Sequence, residues 1–300
     1  MRVNSSMIKK LRKDSELTQE QLAEKLHMSP RHLARIESGE TEMDIWQYMS
    51  MLELLGHPSE NFWLLYLDTK EYDNYRLYRK LKRLLAERRK SEANEIVLEI
   101  EKGSLVKQPF IKQFIAYAKV IIDEDMLHEQ AIENLHNALE MSIKKFDETK
   151  IDKYRLTYNE IYIIALIASK LFSAGEQERA IALMQSLIEN RENVRANEED
   201  KAYLFPWMAF ILSNFLGKAK KYKECLKICN IGIEVSREYR RFWWTPSLIY
   251  NMAASYDLLG EEEHIWKTHL IRAYHCAYAM GRNELAQMIK KDAEKKGVTV

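Results

Sequence analysis

The sequence has few of the residues that make tight turns. It contains nine glycines and five prolines among 300 residues, whereas average usage would be roughly 12% for the two together. Barrels, sandwiches and propellers need many such turns, so an all-β fold is nearly excluded. Apolar residues recur at helical spacing in nearly every segment, without sustained alternation. We therefore expect an all-α protein.

The sequence also has no large excess of either charge sign and no long apolar run. The 46 basic residues nearly balance the 45 acidic ones, so any nucleic-acid contact must come from a local patch. The longest stretch without a charge, residues 202–217, is shorter than the roughly 18 apolar residues of a membrane span. The N-terminus has no apolar segment typical of a secretion signal. We expect a cytoplasmic protein without a membrane partner.

Cysteines and enzymatic motifs are sparse as well. Of the three cysteines, Cys225 and Cys229 are spaced to share a helix face, and we expect free thiols. His128 and Glu129 could begin a zinc-protease motif, but the position four residues after His128 is Ile132. No pattern of a nucleophile with a base is present. We predict no catalytic residues, no metal site, no cofactor and no enzymatic activity.

Residues 17–39 have the pattern of two short helices joined by a tight turn. Thr18 is expected to cap the first helix, with Gln21 completing a capping box. Ser29 is expected to cap the second helix, with Pro30 at its first position. This pattern resembles the phage-repressor-like helix-turn-helix family over about 60 residues.

In such a module the second helix enters the major groove of DNA. Its expected solvent-facing residues are Pro30, Arg31, His32 and Arg35. Arg31 and Arg35 lie one turn apart, and arginine suits a bidentate contact with guanine. Gln19 and Ser29 lie at helix N-termini, where we expect them to bind phosphate.

The resemblance also adds Arg12 to the DNA-binding set. Arg12 and Glu37 match positions that pair across the module in such repressors, so that Glu37 would orient Arg12. Residues 1–66 carry eight basic and ten acidic residues, so one module should bind DNA weakly and a homodimer is expected. The basic segment at residues 70–90 is either a solvated helix face or a patch near DNA phosphates or an acidic partner.

From about residue 75 onward, the sequence contains five degenerate repeats of two helices each. Small residues recur on the second helices, beginning at Ala93. Gly175 and Gly260 fall at matching turns between paired helices, and Pro206 and Pro246 at matching helix starts. These features resemble a tetratricopeptide array, which implies a right-handed helical superhelix.

The first helix of each pair lines the inner wall of such an array. The charge-free residues 202–217 and 242–256 belong to two of these first helices, which are either buried on all sides or line a ligand groove. In a groove, aromatic rings would hold apolar peptide side chains, and asparagine amides would hold the peptide backbone. The candidate peptide-binding residues are Gln113, Tyr117, Arg155, Tyr158, Asn159, Tyr162, Trp207, Phe210, Ile211, Asn214, Tyr250 and Asn251.

A helix-turn-helix module followed by a tetratricopeptide-like array is similar to the peptide-pheromone-responsive regulators of Gram-positive bacteria, the Rgg–PlcR–PrgX type. The resemblance implies a cytoplasmic homodimer in quorum sensing, whose binding to a double-stranded DNA operator responds to a short apolar signalling peptide. Its groove asparagines correspond to Asn159, Asn214 and Asn251. We predict a five-helix helix-turn-helix domain over residues 1–68 and a peptide-binding and dimerisation domain over residues 69–300. The alternative is a DNA-tethered scaffold whose array binds another protein, although an uncharged groove favours a peptide.

Overall fold

The computed structural model describes residues 3–57, 59–103, 105–195 and 197–300. These residues are helical or lie in connections between helices, and an isolated β-bridge joins Thr157 to Arg195. The predicted all-α class is confirmed. Contacts within the chain divide it into two compact units, Met1–Lys107 and Gln108–Val300. The predicted domain boundary after residue 68 lies inside the first unit and stays a prediction.

The first unit begins with four short α-helices, which are α1 (Ser5–Asp14), α2 (Gln19–Lys25), α3 (Pro30–Glu37) and α4 (Ile45–Leu54). The predicted fifth helix is a 3₁₀ segment, Ser59–Tyr66, which is kinked at Asn61. Two longer helices follow, α5 (Thr69–Ala86) and α6 (Lys90–Lys102). Apolar residues of α1 to α4, of the 3₁₀ segment and of α5 form one core.

The described part of the second unit contains nine α-helices. They are α7 (Pro109–Ile122), α8 (His128–Glu140), α9 (Tyr158–Ser173), α10 (Gln177–Glu189), α11 (Glu198–Lys218), α12 (Tyr222–Glu238), α13 (Thr245–Leu258), α14 (Glu263–Ala279) and α15 (Asn283–Lys295). Each helix packs on the next, and α7, α9, α11 and α13 also contact one another in sequence. Gly175 and Gly260 follow α9 and α13 in left-handed turns, with φ of 94° and 73°.

Small residues on the second helices lie at buried contacts with neighbouring helices. Gly232 of α12 faces Ala209 of α11 and Leu248 of α13, and a Cβ at Gly232 would lie 2.8 Å from a carbon of each. Ala180 of α10 and Cys225 of α12 are also buried. The repeat pattern thus identified positions at which paired helices approach closely.

Pro206 does not begin a helix, so this part of the prediction is wrong. Helix α11 begins eight residues earlier, where the side chain of Asn197 accepts a hydrogen bond from the backbone N–H of Asp200. Three acidic residues in the first turn further stabilise this start by interacting with the helix dipole. Pro206 is therefore buried in the interior of α11, whereas Pro246 lies in the first turn of α13 as predicted.

Candidate functional sites

Helices α2 and α3 are capped as the sequence predicts. The Oγ1 of Thr18 accepts from the backbone N–H of Gln21, whose side chain accepts in return from the N–H of Thr18. The Oγ of Ser29 accepts from the N–H of His32 at 3.2 Å, and Pro30 lies in the first turn of α3. The caps fix the start of α3 and therefore which side chains its outer face presents.

The outer face of α3 presents the four side chains that the sequence predicts. Pro30, Arg31 and Arg35 are exposed, and His32 is half-buried. The Nε of Arg35 lies 3.4 Å from a carboxylate oxygen of Glu40 in an exposed pair. No acidic side chain in the described ranges lies within 4.0 Å of the Arg31 guanidinium. Both guanidinium groups can therefore reach a ligand outside the module.

Arg12 is buried within the module. Its side chain is 8% exposed, and its Nε and Nη2 donate to the Glu37 carboxylate at 2.6 and 3.0 Å. Its Nη1 donates to the carbonyl of Leu17 at 2.7 Å. The predicted pair of Arg12 and Glu37 is confirmed, and it joins α1 to the end of α3. This geometry suits a positioning role, and a direct DNA contact by Arg12 stays a prediction.

Gln19 belongs to the same hydrogen-bond network, which the sequence analysis missed. Its Nε2 donates to the Glu37 carboxylate at 2.8 Å. Burial alone would raise the pKa of Glu37, but the hydrogen bonds from Arg12 and Gln19 and the Arg12 charge hold this pKa below its ordinary value. The side chain of Gln19 would have to leave Glu37 to bind phosphate, so its predicted contact also stays a prediction.

Aromatic side chains form a row along one face of the first helices of the second unit. The ring of Tyr162 lies 6.0 Å from that of Tyr117 and 4.4 Å from that of Trp207. Phe210, one turn after Trp207, stacks on Trp244 at 4.9 Å. We define the aromatic row as Tyr117, Tyr158, Tyr162, Tyr203, Trp207, Phe210 and Trp244.

The tyrosines of the aromatic row add hydroxyl groups to its apolar rings. The hydroxyls of Tyr158 and Tyr162 are 3.0 Å apart. Burial raises the pKa of Tyr117 and of Tyr162, and the neighbouring Tyr158 and Tyr203 raise both further. The row therefore combines apolar ring surface with a few hydroxyls, which is typical of sites that bind small ligands or peptides.

Asn214 of α11 and Asn251 of α13 are brought together, although they are 37 residues apart. The Nδ2 of Asn251 donates to the Oδ1 of Asn214 and to the Oγ of Ser213, both at 2.8 Å. Within the described part of the chain, the Nδ2 of Asn214 and the Oδ1 of Asn251 have no partner. The pair thus presents one donor and one acceptor, the combination that a peptide backbone unit requires.

Two predicted groove residues make contacts inside the protein instead. The Nε2 of Gln113 is buried and donates to the carbonyl of Ala138 at 3.0 Å and to the Oγ of Ser142 at 2.9 Å, which fastens α7 to α8. The hydroxyl of Tyr250 donates to Asp292 of α15 at 3.2 Å. Burial and the Asp292 carboxylate raise the pKa of Tyr250 to about 12. These contacts place both side chains in helix packing, and peptide binding by them stays a prediction.

The remaining predicted residues are Arg155, Asn159 and Ile211, which are near members of the aromatic row in the sequence. Arg155 is exposed just before α9, and Asn159 is half-buried in its first turn. Ile211 is half-buried and packs against the core of the second unit. The sequence analysis missed Tyr203, which lies one turn before Trp207, and helical spacing could have identified it.

Three further features of the described residues concern the cysteines, possible metal ligands and helix length. The Sγ atoms of Cys225 and Cys229 are 4.0 Å apart, and all three cysteines are free. No group of three His, Cys, Asp or Glu side chains in the described ranges could hold a metal ion. None of the helices described is long and apolar enough to cross a bilayer.

Residues 8–45 match the sequence profile of the helix-turn-helix family. No curated protein matches the chain in a sequence comparison. A solved structure of Bacillus thuringiensis PlcR in complex with the peptide PapR7 and DNA is similar, with a TM-score of 0.64 at 20% identity, and the match covers 96% of this chain and 99% of that chain.

Two other solved structures share the fold over nearly the full length. ComR from S. thermophilus, in complex with DNA and its signalling peptide ComS, has a TM-score of 0.57 at 15% identity, covering 98% of this chain and 99% of that chain. The pheromone receptor Rgg2 of Streptococcus dysgalactiae has a TM-score of 0.50 at 13% identity, with the same coverage of 98% and 99%. Residues 8–45 therefore form a domain of the helix-turn-helix family, and the chain as a whole has the fold of the PlcR, ComR and Rgg regulators.

Proposed function

We propose that this chain is a cytoplasmic transcriptional regulator that binds a double-stranded DNA operator under the control of a short signalling peptide, as in quorum sensing. One observation carries the proposal. A helix α3 with two exposed arginines occurs in the same chain as the aromatic row. PlcR and ComR, whose fold this chain shares, have been solved with both DNA and a peptide.

In the proposed DNA complex, the outer face of α3 reads base edges in the major groove. Arg31 and Arg35 each donate two parallel hydrogen bonds to a guanine. Pro30 offers apolar contact to a thymine methyl, and Ser29, at the N-terminus of α3, binds phosphate. The buried pair of Arg12 and Glu37 holds α3 in position for these contacts.

In the proposed peptide complex, the aromatic row takes apolar side chains of a peptide of about 5–10 residues. The free donor of Asn214 and the free acceptor of Asn251 bind its backbone. An apolar site with a few such hydrogen bonds can reach micromolar affinity, about −8 kcal/mol. For the peptide to act as a switch, it must bind one conformation of the regulator more tightly than another, because equal affinity shifts no equilibrium.

We also propose a homodimer. The acidic excess in residues 1–66 makes one helix-turn-helix module a weak binder, and two half-sites would restore affinity. The C-terminal helices offer a surface, because Tyr278 of α14 is 65% exposed and its ring stacks with that of Tyr274. Sedimentation at tens of micromolar, with and without DNA, should find a dimer, and a monomer in both cases would contradict this proposal.

The experiment uses the full chain. Genomic DNA fragments bound by the chain are sequenced to define an operator. A pool of synthetic apolar heptapeptides is passed over the immobilised chain, and retained peptides are identified by mass spectrometry. Addition of a retained peptide should then change operator binding in a mobility-shift assay. If the chain binds an operator but retains no peptide, peptide control is contradicted and the DNA-tethered scaffold is favoured.

A further inference from the structure

Arg282 lies beside the aromatic row, next to Trp244. It is the residue that precedes α15, and its guanidinium carbon lies 5.0 Å from the ring centre of Trp243 and 5.6 Å from that of Trp244. Its Nη1 donates to the carbonyl of Trp243 at 2.7 Å and to the Oγ of Ser247 at 3.2 Å. The guanidinium is therefore held in one orientation against the start of α13.

This cation has no carboxylate partner among the described residues. No aspartate or glutamate in those ranges lies within 4.0 Å of it, and the neighbouring groups that raise its pKa are Tyr203 and Cys276. Arg179 in the same unit, by contrast, pairs with both Glu148 and Glu176. A guanidinium stays protonated in proteins, and burial lowers the pKa of Arg282 because it disfavours the charged form. A half-buried cation without a counter-charge is unfavourable unless an anion compensates it.

Donors around Arg282 remain unused. Within the described part of the chain, its Nε and Nη2 donate to no acceptor. The indole Nε1 of Trp244 is buried and also has no partner among the described residues. The Nε and Nη2 of one guanidinium are the two parallel donors that bind a carboxylate side-on. The neighbouring rings of Tyr203 and Phe210 would hold an apolar side chain beside that carboxylate.

We propose that Arg282 binds a carboxylate of the peptide and so fixes which end or which residue of the peptide lies beside Trp244. The carboxylate belongs either to the peptide's C-terminus or to an aspartate or glutamate side chain. This inference rests on the proposed function and extends it, because it assigns the peptide an obligatory negative charge next to an apolar residue. The sequence pattern did not predict a role for Arg282, because Arg282 lies outside the first helices that line the predicted groove.

A purely structural role for Arg282 makes a different prediction. Its Nη1 hydrogen bonds and its stacking on two indole rings could serve only to fasten the start of α15 to α13. In that case its replacement would lower the melting temperature and leave the preference among peptides unchanged. Charge preference, rather than affinity alone, therefore separates the two roles.

The test uses the apolar heptapeptide pool in three forms, retained on the immobilised full chain. One form has a free C-terminal carboxylate, one has a C-terminal amide, and one has a C-terminal amide with a single internal aspartate. The variants are Arg282→Gln, Arg282→Lys and the control Arg272→Gln, which removes the same charge from an exposed position on α14. Melting temperatures show which variants are folded at the assay temperature.

We expect the parent and Arg272→Gln to bind one of the two anionic forms at least about tenfold more tightly than the neutral form. Arg282→Gln should bind all three forms equally, and Arg282→Lys should keep part of the preference because it keeps the charge. The anionic form that is preferred identifies the source of the carboxylate. Equal binding of the three forms by the parent, or an unchanged preference in Arg282→Gln, would overturn the inference while leaving peptide control intact. Retention of no peptide in any form would overturn both this inference and peptide control.

Discussion

Asn251 donates a hydrogen bond to Asn214 at 2.8 Å, which joins the first helices of two neighbouring repeats, α13 and α11. Each amide also keeps one polar group without a partner in the described structure, so the pair has one donor and one acceptor available for the proposed peptide. The two asparagines that the family resemblance placed separately in a groove are thus one hydrogen-bonded unit. Its most direct test is to remove one member.

Asn214→Ala should abolish the peptide response and leave basal DNA binding intact, because Asn214 lies in the second unit and α3 in the first. Loss of one or two hydrogen bonds should weaken peptide binding by about 1–3 kcal/mol in calorimetry. Asn230→Ala, at an exposed position on α12, is the control. A lower melting temperature with an unchanged dissociation constant would show that Asn214 serves only in helix packing.

Arg31→Ala and Arg35→Ala should each weaken specific operator binding by about 1–3 kcal/mol, because each removes a bidentate contact with a base. The exposed pair of Arg35 and Glu40 should not protect Arg35, since such pairs contribute little. Mobility shifts are compared with those of Lys13→Ala, which removes an exposed charge from α1. If both arginine variants bind as the parent does, α3 is not the recognition helix.

Arg12→Met should destabilise the protein by about 3 kcal/mol, because it leaves the buried Glu37 carboxylate without its main partner. Lys10→Met is the matched control. It breaks a pair with Asp73 at 2.7 Å in which the two side chains are 21% and 53% exposed, and it should cost less than about 1 kcal/mol. Urea denaturation measures both, and equal losses would contradict a structural role for the buried pair.

The stability that Glu37 provides should depend on pH in one direction. The pKa of Glu37 is lower in the folded chain than its ordinary value of about 4.3, so the unfolded chain binds the proton more tightly. Its contribution is fully present above that ordinary value and is lost as pH falls through the lowered pKa. The difference in stability between the parent and Glu37→Gln should therefore become smaller below about pH 4.3, as measured by urea midpoints between pH 3 and 7. If this difference in stability stays constant across the range, titration of Glu37 does not contribute to the pH dependence of stability.

Local features of the fold and of α3 could be predicted from sequence because they depend on neighbouring residues. The side chains of Thr18 and Ser29 each accept from the backbone N–H three residues later, at Gln21 and His32, and Pro30 lies in the first turn of α3, all as expected. The prediction that Pro206 begins a helix was wrong, although it also used a local signal. A proline suggests a helix start, but the cap at Asn197, about two and a half turns earlier, fixes the true start.

Contacts between distant segments could not be predicted in the same way. Helical spacing gave a face for each aromatic residue, and it thereby found most of the aromatic row. It did not give the partner of a polar side chain. Gln19 donates a hydrogen bond to Glu37, Tyr250 donates one to Asp292, and Asn251 donates one to Asn214. Each of these hydrogen bonds depends on how two helices pack, and neither helix alone contains that information.

Gly232→Ala tests whether close helix packing supports the proposed peptide site. The added methyl would lie 2.8 Å from carbons of Ala209 and Leu248. The end of the Leu248 side chain can rotate away, but the Cβ of Ala209 cannot, so α11 must shift, at a cost of about 1–3 kcal/mol. Because α11 carries Asn214, its hydrogen bond with Asn251 should lengthen, and peptide affinity should fall along with the urea midpoint. Gly217→Ala is the control, since its Cβ would meet nothing within 4 Å, and it should stabilise α11 by up to about 1 kcal/mol. If Gly232→Ala lowers stability but leaves peptide affinity unchanged, the spacing of α11 and α13 does not set the geometry of the asparagine pair.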